Sequence, residues 1–76
     1  RQDKYDQIQY GMSYSQVVEI LGSEGTVSRS ISNPMPDNCD YYVWQFDINQ
    51  NTYDIMIRFQ NDSVIKKDQI GLSTIN

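Results

Sequence analysis

The spacing of hydrophobic positions changes along the chain, and each change marks an element. Tyr5 and Ile8 stand three apart within Lys4 to Gln9, as one helical turn places them, and Gly11 ends that segment. Val17, Ile20 and Leu21 then form an apolar stripe with Val18 at its edge. Ser13 followed three residues later by Gln16 is a capping box, each side chain satisfying an orphan backbone N–H, with Met12 and Val17 at the hydrophobic-staple positions. Gly22 stands at C′, where left-handed geometry costs glycine nothing. The pattern predicts a helix over Tyr14–Leu21 after a shorter helical piece.

Beyond Gly25 the period falls to two. Thr26 to Ser32 alternates Val27, Arg29 and Ile31 with Thr26, Ser28 and Ser30, a modest peripheral strand, and 33–40 holds both prolines and reads as a loop. Tyr41 to Ile48 and Tyr53 to Gln60 are the strongest strands. A four-residue loop, Asn49 to Thr52, sets Ile48 opposite Tyr53, Phe46 opposite Ile55, Trp44 opposite Ile57 and Tyr42 opposite Phe59, an apolar face throughout. Its cost is Asp47 facing Asp54. Asn61-Asp62 is a two-residue turn of the primed type into a last strand, Ser63 to Gln69. It pairs Phe59 with Val64, turns Lys66 toward the core and puts Ile65 and Lys67 on the other side. Ile70-Gly71-Leu72 closes the domain, and both chain ends are expected to fray. Helix, helix and four hairpin-connected strands make an α+β fold, two N-terminal helices on one face of a four-stranded antiparallel sheet.

Composition narrows the function. Seventy-six residues make one domain, 1–76 with its core over 5–72, and a chain this short buries only about 60–65% of the surface its unfolded form exposes. Six Tyr, two Phe and one Trp must supply much of that core. The net charge of −4 has the wrong sign for a nucleic-acid binder. There is no His, the commonest general base and metal ligand. Cys39 is the single cysteine, so no internal disulfide and no Cys-only zinc site can form, and the flanking Asp37 and Asp40 raise rather than lower a thiol pKa. Asp37, Asn38 and Asp40 lack the spacing and closing Glu of an EF-hand. No apolar run reaches the roughly 18–20 residues that span a bilayer. The expectation is a non-catalytic domain without cofactor, metal or catalytic residue.

Several residues also carry a resemblance. Tyr5-x-x-Ile8-x-x-Gly11-Met12-Ser13 with Val17-x-x-Ile20-Leu21-Gly22, then Tyr42-x-Trp44, Ile57-x-Phe59, Asn61-Asp62-Ser63-Val64 and Lys67-x-Gln69-x-Gly71-Leu72, are similar to the signatures of β-lactamase-inhibitor-like domains and of the SmpA/OmlA lipoproteins. They most closely resemble a related uncharacterised family on bacterial secreted proteins and lipoproteins. The turn departs from the more usual Asn-Gly. The resemblance covers roughly Tyr5 to Leu72. It implies the same helices-on-sheet fold and an extracytoplasmic location, secreted or with a lipid anchor upstream. Known inhibitors of this type join two such domains around one enzyme, so the resemblance implies the fold and not inhibition, and no contact residues carry over.

The face opposite the apolar one gathers Tyr41, Val43, Gln45, Met56, Arg58, Ile65 and Lys67. In the expected register Gln45 faces Met56 and Val43 faces Arg58. Aromatic, flexible apolar and cationic side chains together suit a surface that binds a protein or peptide. The competing reading is an ordinary wet sheet face on a structural spacer or an envelope-assembly accessory domain.

Overall fold

The computed structural model describes residues 4–28 and 39–71. The strand expected over Thr26–Ser32 lies partly outside these residues. So do most of the 33–40 loop, Asp37, Asn38, and both chain ends.

Local sequence explains the helices. α1 is one turn, Lys4–Gln7, and α2 is Tyr14–Leu21, the span its spacing predicts. Ser13 caps α2 as the first half of a full capping box, and Gly22 ends it at φ 88° with its N–H on the Val18 carbonyl. The Tyr14 N–H, an orphan of the first turn, is met by the Asp62 carboxylate at 3.0 Å. Nearby, the Gly11 N–H donates to the Val64 carbonyl and the Val64 N–H to that of Met12, both at 2.9 Å. The Gly-Met-Ser and Asn-Asp-Ser-Val segments are therefore two sides of one junction, between the start of α2 and the turn into the last strand.

The sheet runs in chain order, β1 (Thr26–Ser28), β2 (Cys39–Ile48), β3 (Asn51–Gln60) and β4 (Val64–Ile70), all antiparallel. Cys39 and Asp40 belong to β2 rather than to a loop. Alternate residues Trp44, Ile55, Ile57, Phe59 and Val64 are buried against Ile8, Val17 and Leu21 of the helical layer. Burying these eight side chains supplies roughly 1.5–3 kcal/mol each against chain entropy. Tyr14 sits among the aromatics, its ring centroid 4.6 Å from Tyr42, 5.5 Å from Phe59 and 6.1 Å from Trp44. The indole N–H of Trp44 donates to the Ser23 carbonyl at 2.7 Å. Gly25 lies flat on that indole, where a Cβ would come within 2.8 Å of ring carbons.

The register departs from expectation in two places. The β2–β3 connection is a two-residue turn, Asn49 and Gln50, both at positive φ (52° and 68°), so every pair slides by two: Trp44 faces Ile55, Tyr42 faces Ile57 and Phe46 stacks on Tyr53. A two-residue slide keeps each side chain on its face, which is why the apolar face stands although its pairing changes. It also separates Asp47 from Asp54. Asp47 now accepts a hydrogen bond from the Thr52 hydroxyl at 2.9 Å, and the directly facing like-charge pair is gone.

The second departure is in β4. The turn at Asn61 (φ 51°) and Asp62 (φ 60°) forms as expected and pairs Phe59 with Val64, but Arg58 then pairs with Lys66, leaving Ile65 as an extra residue. This bulge inverts the phase of the strand. Lys66 is exposed beside Arg58 instead of coreward, and Lys67 turns to the helix side opposite Ile57. There its ammonium donates to the carbonyls of Tyr5 (3.1 Å) and Ile8 (2.9 Å) and lies 4.4 Å from the Tyr5 ring centroid. A lysine on the core side is tolerable because its charge meets the carbonyls of Tyr5 and Ile8 at the end of α1.

Candidate functional site

Both helices pack on one side of the sheet, and no described element covers the other. The central strand presents Arg58, Met56 and Asp54 there. Tyr41, Val43 and Gln45 of β2 lie beside them in that order, and Lys66, Asp68 and Ile70 of β4 on the other side. Thr26 and Ser28 extend the first two rows onto β1. The surface is a grid of three rows, Tyr41–Arg58–Lys66, Val43–Met56–Asp68 and Gln45–Asp54–Ile70.

Five of the seven residues expected on this face are there: Tyr41, Val43, Gln45, Met56 and Arg58. Their pairing is corrected, with Val43 opposite Met56 and Gln45 opposite Asp54. Ile65 sits in the bulge, 39% exposed, outside the regular grid. Lys67 is on the helix side, committed to α1, and is no part of this surface. Asp54, Lys66, Asp68 and Ile70 are additions. The alternation with Met56 and Arg58 was sufficient to find Asp54, whereas the other three depend on the bulge, which no local signal in β4 announces.

Within the grid the side chains make few mutual bonds. The Tyr41 hydroxyl donates to the Met56 sulfur at 3.0 Å, and the Arg58 guanidinium lies 5.8 Å from the Tyr41 ring centroid. Asp54 Oδ1 and Arg58 Nε are buried without a hydrogen-bond partner. Arg58 and Lys66 are a like-charge cross-strand pair, unfavourable in isolation. The surface thus mixes apolar, polar and charged side chains, with Val43 and Met56 at its centre.

Asp47 and Asp54, which the expected register set opposite one another, pair instead with Thr52 and Gln45. Among the described residues no three His, Cys, Asp or Glu side chains gather as a metal site, and no helix is long and apolar enough to cross a membrane.

Compared with known proteins, the chain matches one family model over residues 1–76, that described as beta-lactamase inhibitor (BLIP). The match agrees with the β-lactamase-inhibitor-like part of the resemblance and does not extend to the SmpA/OmlA lipoproteins. No curated protein and no solved structure matches.

Proposed function

The chain belongs to the beta-lactamase inhibitor (BLIP) family, and from that premise we propose that it is a non-catalytic domain that binds another protein or peptide through the outer face of its sheet. The family's description names an enzyme as the target of inhibition, so a folded protein surface is the first class of partner to consider. The same membership supports an extracytoplasmic location.

The observation that carries the reading is the outer grid itself. Tyr41, Val43, Met56 and Arg58 are half-buried on a face that no described element covers. Tyr, Met and Arg are the residue types enriched where proteins meet. Packing alone asks nothing of this face, since an antiparallel sheet tolerates one wet side.

The test is capture from the secreted and envelope proteins of the source organism, a purified β-lactamase included as a defined candidate, on the immobilised domain and on Val43→Asp/Met56→Asp. Both positions are outside the buried core, and the thermal transition checks that the variant is folded. A partner held by the native domain and lost by the folded variant supports the reading. Equal capture by both, or none by either, favours a structural spacer.

A further inference from the structure

Resting on the outer-face reading above, the unmatched charges on the grid say what the partner must bring. Arg58 and Asp54 stand at opposite ends of the same three-residue row along β3, with Met56 between them. Four residues of strand put their Cα atoms roughly 13 Å apart, too far to pair with one another. Each carries a buried polar atom, Arg58 Nε and Asp54 Oδ1, without a hydrogen-bond partner. Arg58 lies between Tyr41, whose ring centroid is 5.8 Å from its guanidinium, and Lys66, and Asp54 lies between Gln45 and Ile70, so neither has an oppositely charged cross-strand neighbour. Lys66 adds to the positive end, and Asp68 stands in the middle row beside Met56. The face is thus cationic at the Arg58–Lys66 row and anionic at Asp68 and Asp54, with Val43 and Met56 as its apolar middle.

We propose that the partner meets this face with a bipolar segment: a carboxylate over Arg58 and Lys66, an apolar side chain over Val43 and Met56, and a cationic group over Asp54. Because Arg58, Met56 and Asp54 are alternate residues of one strand, an extended partner segment lying along β3 presents the three groups at its own alternate positions. Two uncompensated charges of opposite sign also fix the direction of that segment, since the reversed orientation sets like against like.

The experiment is selection from a library of random twelve-residue peptides displayed on phage, against the immobilised domain. Two variants accompany it, the single charge reversal Arg58→Glu, which leaves an acid at both ends of the β3 column, and the waist variant Val43→Asp/Met56→Asp. The native domain enriches peptides in which an acid, an apolar residue and a base alternate along one line, in either chain direction. Those peptides bind Arg58→Glu at least about tenfold more weakly. Arg58→Glu in turn selects peptides with a base on both sides of the apolar residue. Peptides lost on the waist variant but indifferent to Arg58→Glu overturn the bipolar inference and leave the outer face as the binding surface. Peptides indifferent to both variants overturn the outer-face reading itself. No enrichment on the native domain overturns the bipolar segment.

Discussion

Lys67 and Tyr5 hold each other from both ends. The Tyr5 hydroxyl donates to the Lys67 carbonyl at 3.1 Å, while the Lys67 ammonium donates back to the Tyr5 carbonyl at 3.1 Å and sits 4.4 Å from the Tyr5 ring centroid. With its second bond to Ile8, Lys67 ties the single turn of α1 to the last strand across some sixty residues of chain. Lys67→Met keeps the aliphatic stem and removes three interactions. It is expected to cost about 1.5–3 kcal/mol, the range for hydrogen bonds to a charged group. A domain of this size then melts several degrees lower, at about 4–8 °C per kcal/mol. Lys66→Met, one residue away on the exposed side, stays within about 0.5 kcal/mol of the parent. Urea unfolding of the two variants side by side checks the contrast.

The same contact sets an alkaline limit. Burial, and then the negative charge of Asp68, push the Tyr5 hydroxyl above its ordinary value of 10.0, with smaller contributions from Tyr10 and Asp6. The folded state therefore holds this proton more tightly than the unfolded chain. The stabilisation is complete below the ordinary tyrosine pKa and is lost as pH rises through the raised, folded value. Stability measured from pH 9 to 12 falls more steeply for the native chain than for Tyr5→Phe, which has no proton to lose there. Parallel curves contradict the assignment.

Trp44 and Gly25 test the core. Trp44 is 2% exposed and its N–H is satisfied by Ser23, so Trp44→Ala is expected to cost about 3–5 kcal/mol, a large part of the total stability of a small domain. Gly25→Ala adds one methyl group against the indole and costs about 1–3 kcal/mol by overpacking. Thermal unfolding of both, followed by far-UV circular dichroism because Trp44 is the single tryptophan, reads the two effects. An unchanged midpoint in either refutes the packing described.

The two turns make opposite predictions from the same geometry. Gln50 and Asp62 both occupy left-handed backbone, which costs a non-glycine residue roughly 1 kcal/mol or more. Gln50→Gly removes that strain and is expected to raise the melting temperature. Asp62→Gly removes it too, but takes away the carboxylate that meets the Tyr14 N–H at the start of α2, a cap whose loss costs about 0.5–2 kcal/mol. The second substitution is expected to give no gain. A rise of equal size in both variants means that the Asp62 cap contributes nothing.

These residues also explain what the chain disclosed in advance. α2 was legible because its start and stop are local: Ser13, Gln16 and Gly22 act within a few residues of the backbone groups they satisfy. The apolar face of β2 and β3 was legible because alternation survives a two-residue slide. The partners across that hairpin were not, since Asn49-Gln50 lacks the glycine that announces a primed turn yet adopts positive φ at both positions. The bulge at Ile65 was hidden for a different reason. It turns Lys67 onto the carbonyls of Tyr5 and Ile8, contacts 62 and 59 residues apart in sequence, and nothing within β4 encodes them. Two of the seven expected face residues, Ile65 and Lys67, fell outside the grid through that one feature, and Lys66, Asp68 and Ile70 entered it.

Amide hydrogen exchange of the domain with and without its captured partner shows whether the outer face of the sheet is the binding surface. Slowed exchange is expected only in β2, β3 and β4 around Tyr41, Val43, Met56 and Arg58, with α2 exchanging as in the free domain. Protection concentrated on the solvent side of α1 and α2, with the strands unchanged, contradicts it.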